Sequence, residues 1–206
     1  RAGIQAAIDH GANMILLDDG LQNPSIKKTF SFLVIDGGYG IGNGMVMPSG
    51  PLRESLSSAL KKTDAVMMVG NDHHHVTKKI GAAPLLHAST VPTNPKSLYD
   101  KRFIAFAGIG RPEKFFATIR EYGGIVEEGI SFPDHHAYSE ADLAMLAAKA
   151  EKYHVELITT EKDHVRLPPA WREKTSTLPV SLKIREEEQL SKLLAESIAT
   201  DKVKAG

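Results

Sequence analysis

Two adjacent carboxylates, Asp18 and Asp19, come directly after an apolar run and are followed by a glycine. The run, residues 14–17, has the continuous apolar composition of a strand that is buried on both faces, as in a parallel sheet. Ligands of open α/β sheets bind at the carboxyl ends of the strands, so such a strand would deliver both aspartates to a site. Paired carboxylates suit Mg²⁺, which prefers oxygen ligands. A strand end with an Asp-Gly turn fits the same residues equally well.

A glycine-rich stretch over residues 37–50 is the second candidate element of a site. So many glycines predict a loop in which the backbone bends sharply or approaches a ligand. Neither this stretch nor the rest of the sequence contains a G-x-x-x-x-G-K-[ST] phosphate loop. Arg53 and Glu54 follow the stretch, and the forked donors of Arg53 suit phosphate contacts. A charged residue at a solvated helix start is the alternative for each of them.

A third candidate, Asp134-His135-His136, lies between a predicted strand over residues 125–132 and a helix that Ser139 is expected to cap. A carboxylate beside a histidine can orient the imidazole for proton transfer or for metal binding. The loop position favours a functional role, although a solvated polar loop is equally compatible with these residues.

Two further polar groups are less specific. Three consecutive histidines, residues 73–75, cannot share one face, and we predict a solvated loop there. Residues 160–163, with the sequence TEKD, end another predicted strand. They fit either a functional loop or a helix start whose charges pair with one another.

Short apolar strands alternate with amphipathic helices along the chain, which predicts an α/β protein with parallel sheets. The predicted buried strands are residues 14–18, 31–36, 65–69, 103–107 and 155–159, and further strands are predicted over 125–132 and 178–184. The predicted helices include residues 2–10, 112–122, a helix after Ser139 and a C-terminal helix whose apolar stripe is Leu190, Leu193, Leu194 and Ile198.

Two prolines, Pro92 and Pro95, interrupt this alternation, because proline suits neither a helix interior nor a central strand. We therefore predict a first domain over residues 1–91 and a hinge or linker over residues 92–101. The remainder, residues 102–206, is predicted to be a second, smaller α/β domain that includes the C-terminal helix.

The composition excludes several classes of protein. The 206 residues have no net charge with histidine counted as neutral, so the basic footprint of a nucleic-acid-binding protein is missing and no such partner is expected. There is no cysteine, which excludes disulfides and thiolate chemistry. No apolar run is long enough to cross a membrane. The chain starts at Arg1 within a predicted helix, so we expect a fragment that lacks its N-terminal part.

Five motifs, in order along most of the chain, resemble the tetraacyldisaccharide 4'-kinase family, the lipid A 4'-kinases of Gram-negative bacteria. The matching segments are LDDGLQ (residues 17–22), GNG with MPSGPLRE (42–44 and 47–54), GIGRPEKFF (108–116), DHHAY (134–138) and TTEKD (159–163). The segments PSGPLRE and DDGLQ are the most specific of these.

The resemblance implies a truncated P-loop NTPase-like parallel sheet plus a smaller second α/β domain. It also implies an ATP-dependent lipid kinase that transfers the γ-phosphate to the 4'-hydroxyl of tetraacyldisaccharide 1-phosphate in lipid A biosynthesis. In the family, the Walker-A loop and a membrane-associating helix lie upstream of the matching segments. We therefore expect this chain to be inactive alone. The full-length protein is expected on the cytoplasmic face of the bacterial inner membrane, which its N-terminal region would contact.

The same resemblance implies roles for five residues of the first domain. Asp18, Asp19 and Glu54 are expected to hold Mg²⁺. Gln22 and Arg53 are expected to bind ATP, and Arg53 is also expected to act in catalysis beside the phosphates.

In the second domain, the resemblance implies that Asp134 and His135 are catalytic and that His135 activates the acceptor hydroxyl together with an upstream aspartate. Two other interpretations remain open from the residues. One is a metal-dependent phosphoesterase of the D-H-H type, with two metals held by Asp18, Asp19, Asp36, Asp134 and His135. It explains the aspartates but leaves the PSGPLRE segment unexplained. The other is a non-catalytic fragment that binds a partner.

Overall fold

The structure is a computed structural model that describes residues 2–205, with side chains up to residue 200. The chain forms two compact units. The first unit combines the residues before Thr90 with those after Leu182, and the second unit is Thr90–Leu182.

The first unit contains a four-stranded sheet with the order β1-β2-β3-β8, in which β1, β2 and β3 run parallel. Its strands are β1 (Phe32–Asp36), β2 (Ala65–Val69), β3 (Leu85–Pro92) and β8 (Val180–Ile184), and its helices are α1 (Ala2–Asp9), α2 (Leu56–Leu60) and α7 (Glu187–Ala205). The last three residues of β3 and the first three of β8 lie within the bounds of the second unit. Both faces of β2 are covered, because Met68 packs with Val76 on one side while Met67 packs with Leu86 and Leu190 on the other. This is the environment that a continuous apolar run predicts.

The second unit contains a parallel four-stranded sheet with the order β5-β4-β6-β7. Its strands are β4 (Arg102–Ala107), β5 (Ile125–Ser131), β6 (Glu156–Thr160) and β7 (Thr175–Leu178), and its helices are α3 (Pro112–Glu121), α4 (Glu140–Tyr153), α5 (Glu161–His164) and α6 (Pro169–Arg172). Alternate residues of β4 face opposite cores. Phe103 packs with Phe116 of α3, and Phe106 packs with Leu146 of α4.

Most of the predicted elements are confirmed. The strands predicted over 31–36, 65–69, 103–107 and 155–159 all form, each within one residue of its predicted ends. Ser139 caps α4 through a capping box, in which its side chain and that of Asp142 each accept a backbone N–H of the other residue.

The strand predicted over residues 14–18 is wrong. These residues have no regular secondary structure, and Leu16 is 88% exposed. An apolar run becomes a buried strand only when a neighbouring strand pairs with its backbone, and within the described residues β1 is the edge of the sheet. Asp18 and Asp19 consequently lie in a turn and not at the carboxyl end of a strand.

Three other differences concern two predicted elements and one strand that was not predicted. The strand predicted over residues 178–184 is two strands, because Pro179 offers no backbone N–H and separates β7 in one sheet from β8 in the other. The C-terminal helix α7 belongs to the first unit and not to the second domain as predicted. Strand β3 was not predicted, and it occupies part of the stretch around Pro92 where a linker was expected.

Candidate active site

A cleft of about 1400 Å³ in the first unit brings together the residues of the two most specific motifs. Its lining includes all five sequence-predicted residues of this unit, namely Asp18, Asp19, Gln22, Arg53 and Glu54. The strand prediction that placed the aspartates was wrong, yet they face the same cleft as Glu54.

Direct contacts join the two motifs across this cleft. Arg53 Nη1 donates to Asp19 Oδ2 at 2.6 Å, and Gln22 Nε2 donates to Glu54 Oε1 at 3.3 Å. Asp19 has φ of 54°, a left-handed conformation that aspartate tolerates better than most residues and that ends the preceding segment in a turn. The side chains of Arg53 and Asp19 are both more than half exposed, so they are accessible to a ligand in the cleft.

Backbone hydrogen bonds within the glycine-rich loop hold the segment that leads into Arg53 and Glu54. The Met47 N–H donates to the Leu52 carbonyl at 2.8 Å, and the Leu52 N–H donates to the Met45 carbonyl at 3.2 Å. A side chain at Gly50 would collide with that Met45 carbonyl, so the loop requires glycine there. The loop therefore has a defined conformation that positions the two charged residues that follow it.

Glu54 is held as a carboxylate by a cation and a hydroxyl. Lys62 Nζ and the Ser58 hydroxyl both donate to Glu54 Oε2 at 2.6 Å. The hydrogen bond from Lys62, followed by that from Ser58, lowers the pKa of Glu54 below its ordinary value. The group therefore carries its negative charge at neutral pH and offers oxygen to a cation.

The donors in this cleft suit magnesium chemically but do not form a complete protein site. Within residues 2–200, no group of three or more His, Cys, Asp or Glu side chains is arranged to hold a metal ion. Mg²⁺ is commonly held by one or two carboxylates together with the phosphates of a substrate. One or two of Asp18, Asp19 and Glu54 fit that arrangement, in which phosphate oxygens would supply further ligands.

The second unit places three polar segments at the carboxyl ends of adjacent strands, which is where α/β sheets bind ligands. Gly108 follows β4, His135 follows β5 and Asp163 follows β6. Gly108 joins all three, since its N–H donates to Asp163 Oδ2 at 3.1 Å and its carbonyl accepts the His135 N–H at 3.1 Å. An added Cβ at Gly108 would lie 3.1 Å from the Cβ of His136, so the loops approach too closely for most other residues.

His135 and His136 have different environments. The side chain of His135 is 79% exposed, and the residue has a backbone φ of 60°. Its Nε2 lies 3.9 Å from Asp134 Oδ2, which is too far for a hydrogen bond. His136 is mostly buried, stacks on Phe132 at 4.7 Å between ring centroids, and contacts Asp142 Oδ2 through Nε2 at 3.0 Å. The geometry thus assigns a structural role to His136 and leaves His135 open to a substrate.

Asp163 lies behind His135 and is fully buried. Thr160 donates its hydroxyl to Asp163 Oδ2 at 2.7 Å, and Arg166 Nη1 lies 3.4 Å from Asp163 Oδ1. The same guanidinium reaches His135, whose Nδ1 is 2.8 Å from Arg166 Nη2. The TTEKD segment is a helix start, with Thr160 as the N-cap of α5, and its buried Asp163 contacts the same guanidinium as His135.

The sequence-predicted residues fall into two groups, one in each unit. Asp18, Asp19, Gln22, Arg53 and Glu54 lie together in the first, and Asp134 and His135 lie together in the second. Sequence reasoning missed Lys62 and Arg166. Arg166 carries one usable signal, because it follows Asp163 by three residues and so lies one helical turn away on the same side.

The three histidines at residues 73–75 are all exposed, as predicted for a solvated loop. Asp72 before them accepts the backbone N–H groups of Val76 and Thr77 at 2.9 Å each. No described helix is both long and apolar enough to cross a membrane.

Comparison with known proteins places these observations in one family. The family described as tetraacyldisaccharide-1-P 4'-kinase, LpxK, matches residues 1–199. A relative from Rhodospirillum centenum, named tetraacyldisaccharide 4'-kinase, is 43% identical over 198 residues, which are 94% of this chain and 58% of the relative. A protein of the same name from Paramagnetospirillum magneticum is 45% identical over 183 residues, covering 87% of this chain and 56% of its own length.

The fold agrees with a solved structure. The crystal structure of LpxK from Aquifex aeolicus in complex with ATP superposes with a TM-score of 0.67 at 22% identity, over 95% of this chain and 61% of that one. The chain thus spans less than two thirds of the length of the relatives that it matches.

Proposed function

Because this chain belongs to the tetraacyldisaccharide-1-P 4'-kinase family, we propose that the protein carrying it is an ATP-dependent lipid kinase of lipid A biosynthesis. It transfers the γ-phosphate of ATP to the 4'-hydroxyl of tetraacyldisaccharide 1-phosphate. The observation that carries the proposal is the pairing of Arg53 with Asp19 and of Glu54 with Gln22. These contacts bring the two most specific motifs into one cleft.

Phosphoryl transfer needs little covalent chemistry from a protein and depends on positioning and on neutralising phosphate charge. Arg53 and Gln22 supply donors for phosphate oxygens in the cleft, and the solved ATP complex of a family member supports ATP as their ligand. One or two of the carboxylates Asp18, Asp19 and Glu54 would hold a magnesium ion, which would neutralise charge on the phosphates.

The acceptor side of the reaction is assigned to Asp134 and His135. Both side chains are more than half exposed, and they lie at the carboxyl ends of the strands of the second unit. We assign them the binding and orientation of the acceptor hydroxyl while its oxygen attacks the γ-phosphorus. The bond between that phosphorus and the bridging oxygen of ADP breaks as the new bond forms.

We further propose that the full-length protein acts at the cytoplasmic face of the bacterial inner membrane. The support is chemical, since each buried methylene of an acyl chain contributes about 0.8 kcal/mol to membrane partitioning. An acceptor with four acyl chains therefore stays in the bilayer, and the enzyme must reach it there. The contact with the membrane is assigned to a part of the protein outside this chain.

The phosphoesterase alternative is not supported. It leaves the PSGPLRE segment, one of the two most specific matches to the kinase family, unexplained. Curated relatives of this chain are named as kinases.

A direct assay tests the proposal. The full-length protein that carries this chain is mixed with ATP, Mg²⁺ and tetraacyldisaccharide 1-phosphate, and the lipid is analysed by mass spectrometry. We expect one added phosphate for each ADP formed, and none on a matched acceptor that lacks the 4'-hydroxyl. Release of phosphate from the lipid without ATP would support the phosphoesterase. A folded protein that binds but converts neither substrate would support the non-catalytic alternative.

A further inference from the structure

Arg166 connects a buried carboxylate to an exposed histidine. Its Nη1 lies 3.4 Å from Asp163 Oδ1 and 3.4 Å from the Gly108 carbonyl, while its Nη2 lies 2.8 Å from His135 Nδ1. The shortest of these contacts is the one to the histidine. Asp163 is itself fixed by hydrogen bonds from the Gly108 N–H at 3.1 Å and the Thr160 hydroxyl at 2.7 Å.

This geometry determines which nitrogen of His135 carries the proton. Arginine has only donors and stays protonated in proteins, so His135 Nδ1 must accept the hydrogen bond. In the neutral imidazole the proton is then on Nε2, which points away from Arg166. Asp134 Oδ2 is 3.9 Å from that nitrogen, so no hydrogen bond to Asp134 competes with a ligand there.

The backbone supports the same orientation. His135 has a left-handed φ of 60°, a conformation that costs free energy in residues other than glycine and is therefore kept by surrounding contacts. The hydrogen bond from the His135 N–H to the Gly108 carbonyl is one such contact. Backbone and side chain of His135 are thus both tied to the loop that follows β4.

We propose that Arg166, held by the buried Asp163, is a positioning residue that fixes His135 as the Nε2–H tautomer, so that His135 presents a hydrogen-bond donor to the acceptor sugar. The role in the reaction rests on the function proposed above. With Nδ1 bonded to Arg166 and a proton already on Nε2, the ring has no free lone pair. The proton of the acceptor hydroxyl therefore passes to a carboxylate, for which Asp134 lies exposed beside His135, while His135 donates to and orients the hydroxyl oxygen.

Nuclear magnetic resonance of the 206-residue chain tests the tautomer without any assay of activity. With ¹⁵N-labelled histidine, above the pH at which imidazoles titrate, we expect a protonated Nε2 and an unprotonated Nδ1 for His135. The resonances are assigned by their loss in a His135→Gln variant. In Arg166→Ala we expect the two nitrogens to shift towards each other as the tautomers mix.

His136 is the internal control for this experiment. It contacts Asp142 and not Arg166, so its nitrogen shifts should be the same in both proteins. Unchanged His136 shifts also show that the variant is folded. A proton on Nδ1 of His135, or the same tautomer in Arg166→Ala as in the parent chain, would overturn the proposal.

A second variant tests whether fixing the tautomer of His135 requires the two-pronged guanidinium of Arg166 or only its positive charge. Arg166→Lys keeps a positive charge, but one ammonium group cannot span Asp163 and His135 as two guanidinium nitrogens do. We expect mixed tautomers in this variant as well. A single Nε2–H tautomer in Arg166→Lys would show that charge suffices and would overturn the role of the fork.

The kinetic test uses the full-length protein. Loss of a partner that orients a reactive side chain commonly costs roughly 10–100-fold in activity, so Arg166→Ala should lower kcat by about that factor with little change in the KM for ATP. In a His135→Ala background the same substitution should have no further effect. An equal loss in both backgrounds would mean that Arg166 acts elsewhere. If the parent protein transfers no phosphate, the proposed function fails while the tautomer result still stands.

Discussion

Arg53 Nη1 donates to Asp19 Oδ2 at 2.6 Å, and Glu54, the next residue, accepts from Gln22 Nε2 at 3.3 Å. The two contacts hold a turn and a glycine-rich loop against each other, although neither segment has regular secondary structure. Arg53 is therefore both a link within the site and an exposed cation that can reach a phosphate.

Replacing Arg53 with alanine should reduce activity far more than stability. The ion pair with Asp19 is exposed on both sides, and such pairs contribute less than about 1 kcal/mol to the free energy of unfolding. A donor aimed at transferring phosphate, in contrast, commonly contributes roughly 10²–10³-fold to turnover. Transfer kinetics and thermal unfolding of the full-length protein measure both effects. Arg102→Ala, which removes another surface ion pair, is the matched control and should transfer normally.

His135→Ala should lower turnover of the full-length protein by roughly 10²–10³-fold, the usual effect of removing a hydrogen-bond donor aimed at a reacting oxygen, while its melting temperature stays nearly constant. The side chain is 79% exposed, so the fold loses little packing. His136→Ala should show the opposite pattern, because that ring stacks on Phe132 and contacts Asp142. Near-normal transfer by a folded His135→Ala protein would end its catalytic assignment.

Tyr138 offers a stability test of the same region. Its ring packs against Phe106 and Phe132, but among the described residues its buried hydroxyl has no hydrogen-bond partner of good geometry. Burial, together with the nearby Asp163 carboxylate, raises the pKa of Tyr138 above its ordinary value. Tyr138→Phe should therefore leave the free energy of unfolding within about 1 kcal/mol of the parent or increase it.

Tyr138→Ala should instead destabilise the chain by roughly 2–4 kcal/mol, since it removes the ring from this aromatic cluster. Denaturant unfolding of both variants gives the comparison. A larger loss in Tyr138→Phe than in Tyr138→Ala would mean that the hydroxyl, and not the ring, supports the fold.

Acid should weaken the start of α4. Hydrogen bonds from Ser139, followed by that from His136, lower the pKa of Asp142 from 3.8 to about 2. A lowered pKa in the folded state means that the carboxylate stabilises the fold above about pH 4 and that this contribution is lost as the pH falls towards about 2. Asp142→Asn should therefore be less stable at neutral pH and should lose less stability across that interval.

Melting temperatures of the parent chain and Asp142→Asn over this pH range measure the difference. Ser139→Ala, which removes the other half of the capping box, should cost about 1 kcal/mol at neutral pH. Parallel pH curves for the parent and Asp142→Asn would contradict the assignment.

Sequence patterns predicted the interior of this fold better than its edges. Strands β2 and β4 are continuous apolar runs that are buried on both faces, so composition alone located them. The run at residues 14–17 has the same composition but no described strand pairs with it, and pairing is not encoded in the run itself. Strand β3 was missed because its sequence, LLHASTVP, mixes polar residues into the apolar ones and ends in proline.

In the candidate site, too, local sequence patterns could not predict contacts between segments that are distant in the chain. The motifs located Arg53 and His135, because residue type and loop position carry chemical meaning. The Arg166 contact to His135 joins residues 31 positions apart across two loops, so it depends on the order of β5, β4 and β6 in the sheet. No local pattern contains that order. The one signal of Arg166 in the sequence is its spacing of three residues from Asp163.

The discontinuity of the first unit has a consequence for how the chain is made. Glu186 accepts the His87 N–H across 99 positions, and the whole second unit lies between these residues. Within that unit, the Thr93 N–H donates to the Pro179 carbonyl at 3.0 Å and so closes the two ends of the insertion. Domains generally fold as units during synthesis, and closing a long loop costs entropy unless the intervening chain is already compact. Strand β8 leaves the ribosome after nearly all of the second unit, so we expect the insertion to fold before β8 pairs with β3.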